Sequence, residues 1–208
     1  MDTSVLHSSP RGIMSLYTKN YAVKGVTPLM MHNGNIANPM NKIAIELKKL
    51  TGKKGKTESD YVAIAKLECI GSFYFDPKKG VFLLPDHCIE AGIKASSVAH
   101  KRGVKKTVES AIVVFEHGII TDDGPKTPLE RWDAGEAYYH QQMVVVNRKR
   151  ILRTRPIFND WRATFTVRFD DTKIDGELLD DIITVWGDTV GMLELRPKFG
   201  RFEVESAS

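Results

Sequence analysis

The chain has 208 residues, 42% of them hydrophobic, which is enough for a real core in one large domain. Thirty lysines and arginines against 26 acids give a net charge of +4, so any affinity for a polyanion must come from local charge distribution. No run approaches the ~20 apolar residues that cross a bilayer, and residues 1–9 lack a positive segment ahead of an apolar core, so neither membrane association nor secretion is expected.

Residues 1–14 are polar and expected to be flexible, ahead of one α+β domain over 15–208 with insertions at about 33–60 and 121–142. A first strand is expected over 21–26, ending at Thr27-Pro28, because the residue before proline is pushed to extended geometry. Leu29 to His32 continue extended into an Asn33-Gly34-Asn35 turn. Ile43, Leu47 and Leu50 mark one side of a short helix, and residues 51–60 read as a solvated basic loop. Ser59 or Asp60 is expected to cap a helix through Ala63, Ala65, Leu67 and Glu68. Residues 73–75 and 81–84 form a hairpin around the 76–80 turn.

Pro85-Asp86 opens a helix whose Ile89, Gly92, Ile93, Ser96 and Ser97 share one narrow side. Such small residues imply very close packing, by a neighbouring strand or by a ligand's backbone. The helix ends near residues 100–103, and Lys94, Lys101 and Arg102 could extend a cationic track. A strand is expected over 111–115, a turn at 122–125, a long loop over 126–140 and a buried strand over 143–146. Ile174 to Trp186 has helical spacing, and residues 191–204 read as a turn into a final strand. The mixture lacks regular βα alternation, which points to an α+β fold with helices on one face of a sheet.

The basic segment between these elements carries the strongest functional signal. Arg148, Lys149, Arg150, Arg153, Arg155, Arg162 and Arg168 fall in one span whose only acid before Arg168 is Asp160. From 162 onward the chain alternates, Arg162, Thr164, Thr166 and Arg168 pointing one way and Ala163, Phe165, Val167 and Phe169 the other. A face of guanidinium and hydroxyl groups suits phosphates, which a planar guanidinium meets in bidentate fashion. Phe158, Trp161 and Phe199, each beside arginines, are candidate rings for stacking on bases. Arg196, Lys198 and Arg201 flank Pro197 and Gly200 and form a second candidate grip on phosphates. On this reading, charge reversal at Arg153 and Arg155 weakens binding and leaves the thermal melt little changed.

Catalytic constellations are not apparent. No phosphate-cradling glycine loop, Gly-x-Ser-x-Gly elbow or His-Glu-x-x-His pair occurs, and the scattered histidines have no metal-ligand spacing. Cys69 and Cys88 lie in apolar contexts and read as small buried hydrophobes of a reducing cytoplasm. The sequence therefore reads as non-enzymatic, with neither metal nor cofactor.

Three segments resemble the RAMP superfamily, which includes backbone subunits of CRISPR effector complexes. Thr27-Pro28-Leu29-Met30-Met31-His32 is similar to its first strand, Leu83 to Lys94 resembles its helix start, and Arg196-Pro197-Lys198-Phe199-Gly200-Arg201-Phe202 is similar to its C-terminal turn. Gly191 lacks a second glycine after it, and Asp86-His87 replaces the family's glycine-serine pair. The resemblance implies a ferredoxin-like, RNA-recognition-type antiparallel sheet that binds along a polynucleotide. The first and last of these segments, together with Arg153-Thr154-Arg155-Pro156-Ile157-Phe158, also look like uncharacterised proteins of tailed phages, and the expected location is the cytoplasm, that of the host if the protein is phage-encoded. The expectation is a non-catalytic protein that coats single-stranded DNA or RNA as a homo-oligomer or filament. The alternatives are a phage structural or assembly protein and, further behind, a metal-dependent nuclease using carboxylates such as Asp170 and Asp171.

Overall fold

The computed structural model describes residues 16–100, 104–146 and 148–207, apart from the side chains of residues 146 and 149. The expected flexible N-terminus lies outside the described residues, as do Lys101 and Arg102. Two antiparallel sheets organise the chain. The larger runs β10 (Phe202–Ala207), β1 (Leu16–Gly25), β9 (Arg162–Asp170), β6 (Gly118–Thr121), β4 (Val81–Leu84), β3 (Phe75–Asp76), with β5 (Ile112–Val113) pairing the far end of β9. The smaller contains β2 (Leu29–Met30), β8 (Lys149–Phe158) and β7 (Tyr139–Val146). Among the described residues, six α-helices join them: α1 (Lys42–Thr51), α2 (Glu58–Gly71), α3 (Asp86–His100), α4 (Lys105–Ala111), α5 (Pro128–Asp133) and α6 (Gly176–Val185).

The central pair, β1 with β9, shows why the larger sheet has one covered face. Tyr21 lies opposite Phe165 and Val23 opposite Ala163, with the Tyr21 and Phe165 rings stacked 5.4 Å apart. This apolar side meets Ile89 and Ile93 of α3 and Leu179, Ile182 and Ile183 of α6. Lys19 occupies a covered position too, but its long stem lets the ammonium reach Asp180 of α6 at 2.6 Å. The narrow side of α3 is explained by Trp186: a Cβ on Gly92 would overlap its indole, whose Nε1 donates to the Gly191 carbonyl at 2.8 Å. The close neighbour is thus a side chain, not a strand or a ligand.

Several expected boundaries move. The first strand already includes Leu16, five residues before its apolar alternation, because β9 supplies partners from Leu16 to Lys24. Thr57 caps α2, and Asp60 is the third residue of its capping box. Residues up to Ala111 are helical, leaving β5 only two residues long. The expected loop over 126–140 contains α5, started by a Thr127/Glu130 capping box with Pro128 in its first turn, and the beginning of β7.

Candidate nucleic-acid interface

The uncovered face of the larger sheet collects the alternating residues of its three central strands. Arg162, Thr164 and Arg168 are exposed and Thr166 is half-buried, while Ala163, Phe165, Val167 and Phe169 are buried. Thr18, Asn20 and Lys24 of β1 stand opposite Arg168, Thr166 and Arg162, and Thr121 of β6 stands opposite Arg162 on the other side. Opposed residues of an antiparallel pair project to the same face, so these side chains form one surface. Thr166 Oγ1 donates to Asn20 Oδ1 at 2.9 Å. Arg162 meets Glu205 at 3.4 Å in an exposed pair, and the Arg168 guanidinium lies 5.0 Å from the ring of Phe115. That ring is 60% exposed. A shallow concavity of about 360 Å³ between Asn20, Thr164, Thr166 and His117 interrupts the face.

The other arginines of the basic segment are elsewhere. The chain turns between the sheets at residues 158–162, so β8 and β9 share neither a sheet nor a surface. Arg148 occupies the β7–β8 turn, exposed, with φ 64°, and Arg150 is exposed two residues on. Arg153 pairs with Glu68 of α2, and Arg155 with Glu194 at 3.0 Å. Both are therefore engaged by carboxylates of the protein itself, and one continuous arginine surface over 150–168 does not form.

Of the expected stacking rings, Phe158 and Trp161 are buried. Phe158 makes edge contacts with Phe73 and Phe82, and Trp161 donates from Nε1 to the Thr27 carbonyl at 2.9 Å. Neither presents a ring face to a base. Phe199 is half-buried, 5.9 Å from the His140 ring, with the Lys198 ammonium 5.5 Å from its own. Arg196 and Lys198 are exposed, whereas Arg201 turns its Nε to the Pro197 carbonyl at 3.0 Å. Their turn is fastened to β2 and its approach: Glu194 N donates to the Met30 carbonyl at 3.1 Å and Gly200 N to the Pro28 carbonyl at 2.9 Å. Leu193 and Leu195 hold left-handed φ of 57° and 55° in this segment, a conformation that costs non-glycine residues energy and persists only under such anchoring. Lys94 pairs with Glu90 along α3 at 3.6 Å.

Thr18, Asn20, Lys24 and Thr121 of the open face, and Phe115 at its margin, were not among the residues the sequence pointed to. Lys24 alternates out of phase with the buried Tyr21 and Val23 and was legible by period two. Phe115 had no such signal, because only the β5–β9 pairing brings it over Arg168.

Two ionisable groups away from this face, Asp170 and Cys69, are committed to structure. Asp170 is buried, accepts from the Thr172 hydroxyl at 2.6 Å and lies 3.4 Å from Lys173; Thr172 first, then Lys173, keeps its carboxyl below the usual range. Burial pushes the Cys69 thiol up to about 12. Among the described residues, no three His, Cys, Asp or Glu side chains gather in a metal-binding arrangement, and no helix is long and apolar enough to cross a membrane.

No family model and no curated protein matches the sequence. The fold does have a solved counterpart, a chain in the cryo-EM structure of the type III-B Cmr-beta bound to cognate target RNA. The TM-score is 0.54 at 10% sequence identity, over 93% of this chain and 60% of that one. The protein thus spans about three fifths of the matching chain, and the likeness is one of fold. That fold is RAMP-like, an α+β arrangement of antiparallel sheets, in agreement with the resemblance read from the three sequence segments.

Proposed function

We propose that the protein binds single-stranded nucleic acid without cutting it, assembling side by side along the strand in the cytoplasm. The observation that carries this reading is the uncovered face of β1, β9 and β6. There Lys24, Arg162 and Arg168 stand among threonines and Asn20, with the Phe115 ring at the margin. Guanidinium groups neutralise phosphates, hydroxyls complete the polar contacts, and an exposed ring stacks on a base in a sequence-tolerant way. The RNA held by the Cmr-beta complex supports the same class of ligand. Arg196 and Lys198 supply a second exposed cationic pair.

Fluorescence anisotropy with labelled oligo(dT) and oligo(U) tests the reading. Log affinity is expected to fall with log salt by ~0.7 per phosphate neutralised. Charge reversal at Arg162 and Arg168 together should weaken binding, and Phe115→Ala should remove about 1–3 kcal/mol if one base stacks there. Oligonucleotides should survive incubation with Mg²⁺, and light scattering should show protein accumulating along longer strands. A salt-independent response, or unchanged binding by the doubly reversed variant, overturns the assignment.

A further inference from the structure

A groove of about 1060 Å³ separates the distal half of β8 from α1, α2 and the turn at Gly34–Ala37. Ile36, Leu47, Ile64 and Leu152 give its lining an aliphatic stretch, and Lys56 and Arg150 are cations of the same lining. One acid reaches into it. The Glu68 carboxylate accepts from the Thr154 main-chain N–H at 3.0 Å and pairs with Arg153.

That hydrogen bond fixes the direction of the strand edge. Thr154 lies opposite Gln141 of β7, yet its N–H points away from β7. Antiparallel pairs alternate between bonded and unbonded partners, so Leu152 and Arg150 also turn their N–H and C=O outward, into the groove. β2 covers this edge only at its other end, where Leu29 pairs Phe158 and Met30 pairs Ile157, and Met31 N donates to the Pro156 carbonyl at 3.2 Å. Among the described residues, no hydrogen bond reaches the outward main chain of Arg150 or Leu152. An unpaired strand edge is a template for another strand.

We propose that this groove takes an extended, acidic and apolar peptide segment of a partner protein, which continues the small sheet beyond β2 by adding to β8. Strand addition draws affinity from main-chain hydrogen bonds and specificity from pockets for alternate side chains. Here the aliphatic stretch receives the apolar side chains, and Arg150 and Lys56 receive the acidic ones. Glu68 already occupies the edge as such an acid would, with one carboxylate bonded to both a strand N–H and an arginine. A nucleic acid would use the cations but has no repeat that matches the strand's alternating donors and acceptors, and among the described residues the groove offers it two rings to stack on, Tyr61 and His32. This surface belongs to a different sheet from the open face, so either assignment can fail alone.

A fluorescein-labelled octapeptide of alternating valine and glutamate is the probe. Saturable binding is expected, with slowed hydrogen exchange at the Arg150 and Leu152 amides. Leu152→Pro removes one outward donor and no bond to β7, and should lose about tenfold in affinity, the size of one main-chain hydrogen bond. Arg150→Glu should also weaken binding. The unaltered protein supplies the control that does not depend on folding of a variant: the octapeptide N-methylated at alternate residues should not bind. Equal affinity for both peptides, no binding of the parent peptide, or protection of these amides by oligo(dT) instead of peptide overturns the proposal.

Discussion

Arg131 is fully buried, its guanidinium between the rings of Phe158 at 4.1 Å and Phe82 at 4.6 Å. Asp122 meets its charge, and Nε donates to the Pro125 carbonyl at 2.9 Å. Burying two charges gives little net stability even when they pair well, but removing one partner leaves the other uncompensated. Asp122→Ala is therefore expected to cost about 3–5 kcal/mol, read as a lower urea midpoint. Replacing both partners by leucine and methionine should cost much less, and equal losses for the two variants would refute this account. Asp122 looked like an ordinary turn residue in sequence, because its partner nine positions on is seen only once α5 has formed.

At the scale of elements, capping decides where helices begin. Thr57 and Asp60 exchange hydrogen bonds with each other's main chain, and Lys53 lies 2.5 Å from the Asp60 carboxylate. Lys53 first, then the Thr57 main chain, holds that carboxyl down at about 2, below its ordinary 3.8. A depressed carboxyl stabilises the folded state above its unfolded value, and the contribution disappears as pH falls from near 4 towards 2. Helical signal in far-UV circular dichroism should thus decline over that interval, and Asp60→Asn should flatten the part of the decline due to α2. An identical acid titration for the variant would show that this cap is energetically idle.

For the molecule as a whole, the separation of the arginines between two sheets matters most. Arg162 and Arg168 face solvent on the larger sheet, whereas Arg153 and Arg155 answer Glu68 and Glu194. Reversing Arg153 and Arg155 sets acids against buried or half-buried acids and is expected to lower the melting temperature by several degrees, contrary to the sequence-based expectation of an unchanged melt. Reversing Arg162 and Arg168 should leave the melt nearly unchanged, since an exposed pair such as Arg162 with Glu205 is worth roughly 0–1 kcal/mol. Differential scanning fluorimetry on the two double variants separates the roles, and similar melting shifts would contradict them.

Period-two alternation along 162–169 was enough to tell which side of β9 is buried, because a strand's side chains can point only two ways. Gly92 with Ser96 and Ser97 announced a close approach, and Thr27-Pro28, the α3 start and the 196–202 turn carried the resemblance to a RAMP-like fold. What covers each surface was not legible. Trp186 fills the notch at Gly92, Glu68 and Glu194 take up Arg153 and Arg155, and Phe158 and Trp161 are enclosed although each has arginines beside it in the chain. These outcomes rest on contacts between residues tens of positions apart, and local pattern reports which way a side chain points but not what it meets there. Composition and periodicity by themselves determined a basic, α+β chain with one polar sheet face. Only the tertiary structure decided which cations remain open to a ligand, because an arginine facing water and one facing a carboxylate from a distant helix are identical in sequence.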